Sequence, residues 1–268
     1  MSPPSSLADT LGSVTRILRT YQEHPFSRQM HPEDDMTHPD WDPKFEHYFD
    51  VGRSALDIIL QGMIASQATN HATILDLPSG FGRVTRHLSA AFPDSRIYAS
   101  ELYQDRVDFC ASAFGVHAVK SKEDFDAITF PENFDLIWCG SLLTHLPEKL
   151  FGKCLKLFSR SLNPNGIAVV TLQGRHSPFI QKHKWKYIDD AAFAKAEAGF
   201  NTHGFGYVDY KNRAKFFEQD AFGVTLSAPS YVLRCLEADT SIRITGFMER
   251  RWDDCQDVAV FKKLPIDA

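Results

Sequence analysis

Apolar positions along this chain fall into two alternating patterns: short uninterrupted runs, and runs spaced three and four residues apart. Ala55, Leu56, Ile59, Leu60, Met63 and Ile64 fall on one face of a helix that the spacing predicts over about 52–66. The run TILDL at 73–77 reads as a buried strand, and Val84, Leu88 and Ala91 as an amphipathic helix ending at Pro93. RIYAS at 96–100, a helix carrying Val107, Cys110, Ala111 and Phe114, and a short VHAV strand continue the alternation. FDLIWC at 134–139 is a strong buried strand. Pro147 opens a helix with Leu150, Phe151, Cys154, Leu155, Phe158 and Leu162 on one face, and the turn NPNG at 163–166 launches the strand IAVVTL. Strands separated by helices at this cadence predict an α/β fold, a mainly parallel sheet with helices on both faces.

Either side of this block the pattern loosens. Residues 1 to about 50 are rich in Pro, Ser, His and Asp and read as a partly ordered arm, leaving one domain over 51–268. Between about 173 and 226 a helical stretch, DDAAFAKAEAGF, precedes GFGYVDY and FGVTLS, which read as an insertion with a hairpin. It follows a strand's carboxyl end, where open α/β proteins bind ligands. SAPSYVLRCLEA offers Ser227 or Ser230 as a helix cap. SIRITGFMER and QDVAVFKK, joined by RWDDC, predict a terminal antiparallel hairpin, with Ile242 and Ile244 facing the same side.

Composition narrows the function classes. A net charge of −5 without a basic block disfavours nucleic acid as the main partner. Five cysteines, Cys110, Cys139, Cys154, Cys235 and Cys255, form no C-x-x-C pair, which argues against zinc ribbons and redox pairs and for a reducing compartment. The first residues lack a basic region followed by an apolar stretch, and no run approaches membrane-spanning length, so a cytoplasmic protein without membrane partners is the expectation. His31 and His38 with Asp34, Asp35 and Asp40 gather ligand-type residues, but in an arm they read as solvated surface, and no metal is expected.

The most informative segment is ILDLPSGFGR at 74–83, between a strand and a helix. Gly80 and Gly82 lack the side chains that would keep a ligand from backbone N–H groups. The dinucleotide fingerprint wants a third small residue where Thr85 stands, so the match is incomplete. Glu101, at the end of the second strand, suits ribose hydroxyls.

Taken with FDLIWCGSLLTHLPE at 134–148, LNPNG at 162–166 and the closing hairpin, the segment DLPSGFGR at 76–83 resembles the first motif of the class I methyltransferases that use S-adenosylmethionine. The likeness spans about 50–172 and 227–263. It implies a seven-stranded sheet with the last strands reversed, and methyl transfer from S-adenosylmethionine to a heteroatom, oxygen first, of a small molecule such as a sugar or secondary metabolite. It also implies that Gly80 and Gly82 wrap the methionine portion, that Asp76 supports the loop, and that Glu101 holds the ribose. Adenine is expected against 122–125, with Asp124 as the candidate acidic residue. Pro78 replaces the commoner glycine and offers no N–H to the methionine carboxylate. The competing readings are an NAD-dependent oxidoreductase and a non-catalytic S-adenosylmethionine-binding partner protein.

A methyl acceptor that must lose a proton needs a base within about 2.6 to 3.2 Å of it. His145, after the fourth strand, and His176, after the fifth, stand at the expected edge, each with a purely structural alternative. Tyr207 and Tyr210 either line an acceptor pocket or pack the insertion. Tyr48 and Phe49 either close over the cofactor, where an aromatic face suits a sulfonium, or pack the core. Trp252 and Asp253 occupy the turn of the closing hairpin and need no catalytic explanation.

Overall fold

Five of the apolar runs become parallel strands: β1 (Thr73–Asp76), β2 (Arg96–Glu101), β3 (His117–Lys120), β4 (Phe134–Cys139) and β5 (Leu162–Leu172). The computed structural model describes residues 6–210 and 222–265, so part of the expected insertion, 211–221, lies outside the described residues. β6 (Phe205–Asp209) and β7 (Gly223–Ser227) pair as a separate antiparallel hairpin. β8 (Ile242–Trp252) and β9 (Gln256–Lys263) complete the main sheet, whose order is β3-β2-β1-β4-β5-β9-β8, with β9 antiparallel to both neighbours. This is the expected seven-stranded α/β sheet with its terminal reversed hairpin.

Strand side chains alternate between faces, and two cores follow from that alternation. Ile74, Leu136, Trp138, Val169 and Val260 meet α1 (Leu7–Glu23), α2 (Glu46–Ser66) and α3 (Thr85–Ala91) on one face. Leu75, Ile137, Cys139, Val170 and Phe261 meet α5 (Glu148–Ser161) and α8 (Pro229–Glu237) on the other, while α4 (Gln104–Phe114), which follows β2, sends Cys110 and Phe114 to the first face. Ile242 and Ile244 both pack on this second core, as period two requires. A third cluster joins α7 (Asp190–His203) to the β6–β7 hairpin, and α6 (Ser177–His183) leads into it.

Several local expectations are corrected. The amino-terminal segment contains α1, whose start is a capping box: Asp9 N–H donates to Ser6 Oγ (3.2 Å) and Ser6 N–H to Asp9 Oδ2 (3.0 Å). Two orphan donors are satisfied there, and Val14 and Ile17 join the first core. Helix α2 starts at Glu46 rather than near 52, because Asp42 accepts from the N–H groups of Glu46 (2.8 Å) and Tyr48 (3.1 Å). Neither Ser227 nor Ser230 caps α8; Ala228 takes that position, with Pro229 supplying a φ already suited to the first turn. NPNG lies within β5, where the pairing to β4 shifts register and Asn165 turns to φ +67°.

Within β9, Asp257 is buried, accepts Arg250 N–H at 2.9 Å through Oδ1, and leaves Oδ2 without a partner among the described residues. A Cβ at Gly174 would collide with that carboxylate, so any larger residue there would force the Asp257 side chain to move. Burial pushes the Asp257 carboxyl up from its ordinary 3.8 to about 6. The folded protein therefore holds this proton more tightly than the unfolded chain does, and stability should fall as pH rises from about 4 to about 6. In Asp257→Asn, urea unfolding across that window should show a shallower fall, the remainder belonging to Asp76 and Glu101, whose carboxyls burial also raises; an unchanged slope would show that the Asp257 carboxyl titrates normally.

Candidate active site

β1 and β4 lie side by side, yet the helix after β1 packs on one face of the sheet and the helix after β4 on the other. Crossovers diverging in this way open a crevice beyond the strand ends, the usual ligand position in open α/β sheets. A cavity of about 690 Å³ occupies it, a size suited to a drug-sized ligand.

Strand ends and their loops build the floor. Asp76, the last residue of β1, is buried; its Oδ2 accepts from Thr85 Oγ1 at 2.6 Å and its Oδ1 has no partner among the described residues. Burial, against which the Thr85 hydrogen bond pulls, raises this carboxyl to about 7. Glu101, ending β2, accepts from Gly80 N–H (3.2 Å) and Leu102 N–H (2.7 Å), so it braces the glycine loop. Burial raises its pKa too. Gly80 has φ +52°, and a Cβ there would meet nothing within 4 Å, which leaves its backbone open to the cavity. The Leu77–Pro78 peptide is cis, and Pro78 lines the same wall.

The amino-terminal segment forms a second wall. Arg86, fully buried, donates to the carbonyls of Ser27 and Gln29, each at 3.0 Å, and to Gly82 O at 3.0 Å, tying that segment to the glycine loop. Asp34 is buried and accepts from Tyr48 Oη at 2.7 Å, which corrects its reading as solvated surface. Asp34, Asp35 and Tyr48 all line the cavity; Phe49 packs against Phe26 instead.

A third wall follows β4. His145 Nδ1 lies 2.7 Å from the Gly223 carbonyl. A carbonyl only accepts, so Nδ1 carries the hydrogen and Nε2 is the accepting nitrogen of the neutral ring. Burial lowers the His145 pKa and keeps the ring neutral. Phe222 packs on this ring with centroids 4.5 Å apart, and Tyr210 Oη lies 3.4 Å from Nδ1. Thr225 Oγ1 donates to Leu146 O at 2.6 Å, fastening the insertion hairpin to the loop after β4.

The cavity thus unites Asp76, Pro78, Gly80, Glu101, Tyr48, His145 and Tyr210. Four sequence candidates lie outside its walls. Gly82 is a packing glycine, since a Cβ there would collide with Phe114. Asp124 caps a short turn through Asp126 N–H and faces Lys153 at 3.6 Å, while its neighbour Glu123 lines the cavity. His176 stacks on Phe179, and Tyr207 donates to Asp209 Oδ1 at 2.5 Å.

Sequence reading missed Arg83, Ser141 and Trp252, all on the cavity wall. Trp252 is buried, donates to Val51 O at 3.1 Å and packs edge-on against Trp138. Arg83 lies over the Trp252 ring at 5.4 Å and has no hydrogen-bond or ion-pair partner among the described residues. Its place directly after Gly82 was the available signal. Five carboxylates (Asp34, Asp35, Asp76, Glu101 and Glu123) share the cavity with three cations, of which Arg106 is engaged by Asp35 at 3.3 Å and Lys122 by Ala127 O at 3.0 Å. Such a field favours a ligand bearing positive charge.

A family profile described as a methyltransferase domain matches residues 74–166. No curated protein matches the chain. Among solved structures, an S-adenosylmethionine-dependent methyltransferase from Clostridium acetobutylicum ATCC 824 superposes with a TM-score of 0.54 at 14% identity, over 83% of this chain and 99% of that one. The 1,6-didemethyltoxoflavin-N1-methyltransferase of Burkholderia thailandensis does so at 0.54 and 12%, over 99% and 93%. CalS10, an amino pentose methyltransferase from Micromonospora echinaspora, gives 0.55 and 15%, over 87% and 100%. At these identities the likeness is one of fold. No helix among the described residues is long and apolar enough to cross a membrane.

Proposed function

We propose that this chain is a class I S-adenosylmethionine-dependent methyltransferase that methylates a hydroxyl group of a small molecule, with His145 as the base. The single observation that carries this reading is the His145 tautomer: Nδ1–H is committed to Gly223 O, so an accepting Nε2 belongs to a cavity-lining ring.

The residues present suit the cofactor. Glu101 has one N–H on each oxygen and keeps lone pairs for the two ribose hydroxyls. The open backbone at Gly80 admits the methionine chain, and Arg83 supplies a guanidinium for its carboxylate. The excess of carboxylates and the faces of Tyr48 and Trp252 suit a sulfonium. When bound, the cofactor supplies a methyl group already activated for displacement by its sulfonium. The protein's part is then to hold the acceptor in line and to take its proton at His145 Nε2, because proximity alone supplies much of the rate in such reactions.

A nitrogen acceptor is the second reading, favoured by the N1-methyltransferase named among the solved neighbours. Titration calorimetry of S-adenosylmethionine, its demethylated product and NAD tests the cofactor assignment. The first two should bind and NAD should not; saturable binding of NAD alone would return the chain to the oxidoreductase reading.

A further inference from the structure

Ser141 is the first residue beyond the β4–Gly140 turn, four positions before His145, and both line the cavity. It holds φ +56°, a left-handed conformation that suits glycine and strains a serine. A closed ring of hydrogen bonds keeps it there. Ser141 N–H donates to Thr171 Oγ1 (2.8 Å), Thr171 Oγ1 donates to Gln256 Oε1 (2.6 Å), and Gln256 Nε2 donates to Ser141 Oγ (2.7 Å).

The direction of this ring follows from its most buried member. Thr171 is fully buried and already accepts from Ser141, so its own proton needs an acceptor, and the Gln256 carbonyl is the one within reach. That fixes the Gln256 amide with its nitrogen toward Ser141, and Ser141 Oγ becomes an acceptor in the ring. The hydroxyl proton of Ser141 then has no acceptor among the described residues. A strained serine held from β5 and β9, with a spare donor on the cavity wall, is more than a turn requires: glycine would serve the turn alone.

Resting on the methyl-transfer reading, we infer that Ser141 donates a hydrogen bond to the methyl acceptor, and that the acceptor carries a second oxygen besides the one that is methylated. One oxygen presents its proton to His145 Nε2 and the other accepts from Ser141. Gln256 is a positioning residue that turns the Ser141 proton outward.

The test uses the full chain saturated with S-adenosylhomocysteine, whose binding is first verified by calorimetry; failure at that step overturns the methyltransferase reading and this inference with it, whereas failure at the next step overturns this inference alone. Catechol, resorcinol and phenol are then titrated while the His145 ring resonances are followed by NMR. At least one diol should bind roughly tenfold tighter than phenol, the worth of one hydrogen bond. Ser141→Gly should raise the melting temperature, keep cofactor affinity and bind diol and phenol alike. Gln256→Glu, which can only accept, should draw the Ser141 proton inward and erase the preference with the serine in place. A parent protein without diol preference, or a preference that survives in both variants, overturns the inference.

Discussion

His145→Gln should leave cofactor affinity unchanged while slowing single-turnover methyl transfer to a hydroxyl acceptor by about 10²- to 10⁴-fold, the range usual for loss of a general base. Glutamine keeps an N–H for Gly223 O but has no basic nitrogen to offer in place of Nε2. The pH profile sharpens the test. The base works unprotonated, and burial lowers the His145 pKa below its ordinary 6.5. The parent rate should therefore rise to its plateau below that value, whereas the variant should show no such inflection. Single turnover is the proper measurement, because product release can hide a slow chemical step. A variant that transfers methyl at the parent rate across pH would leave His145 only its role of fastening the hairpin, and would favour the nitrogen-acceptor reading.

Glu101→Ala should weaken S-adenosylmethionine binding by about 10- to 150-fold, from a loss of about 1.5 to 3 kcal/mol for hydrogen bonds to a charged group. Two effects combine in that loss. The ribose hydroxyls lose their acceptor, and the N–H groups of Gly80 and Leu102 lose the carboxylate that orders the glycine loop. Glu101→Gln separates them: one carbonyl oxygen remains to hold one of the two N–H groups, so the loss should be smaller than in alanine. Calorimetry that finds the parent dissociation constant for both variants would move the cofactor away from the end of β2.

Where a strand is buried on both faces nearly every residue is apolar, which makes FDLIWC legible to its ends as Phe134–Cys139; its one charged residue, Asp135, accepts from Thr73 N–H and Oγ1, both at 3.1 Å. The first helix escaped notice because the Pro, Ser, His and Asp content around it dominated the reading, although Ser6 and Asp9 stand at capping-box spacing before Leu7, Leu11 and Val14. Site residues on strand ends, such as Asp76 and Glu101, could be placed because the strands could. Residues on loops were another matter. Glu123 rather than Asp124 reaches the cavity because Asp124 spends its carboxylate on the N–H of Asp126, a choice between adjacent acids that no spacing rule makes. Position after the fourth strand puts His145 ahead of His176 as the candidate base in sequence, and the β6–β7 hairpin, which supplies Gly223 O to His145, separates them further. Arg83 and Ser141 owe their interest to missing or directed partners, which a sequence does not contain.

The place of β9 in the sheet has a consequence for how the chain is made. This strand lies between β5 and β8, so Ile167–Leu172 of β5 have no neighbour on their outer side until Asp257–Lys262 arrive. During synthesis the five parallel strands emerge first, with the long edge of β5 exposed, and an open edge of that kind is a template for aggregation. Gln256, the first residue of β9, is also the side chain that holds Thr171 and Ser141. Closing the sheet and completing the wall beside His145 are therefore one event: a nascent chain stopped short of residue 256 would own the carboxylates of the cofactor end yet have no finished place for an acceptor.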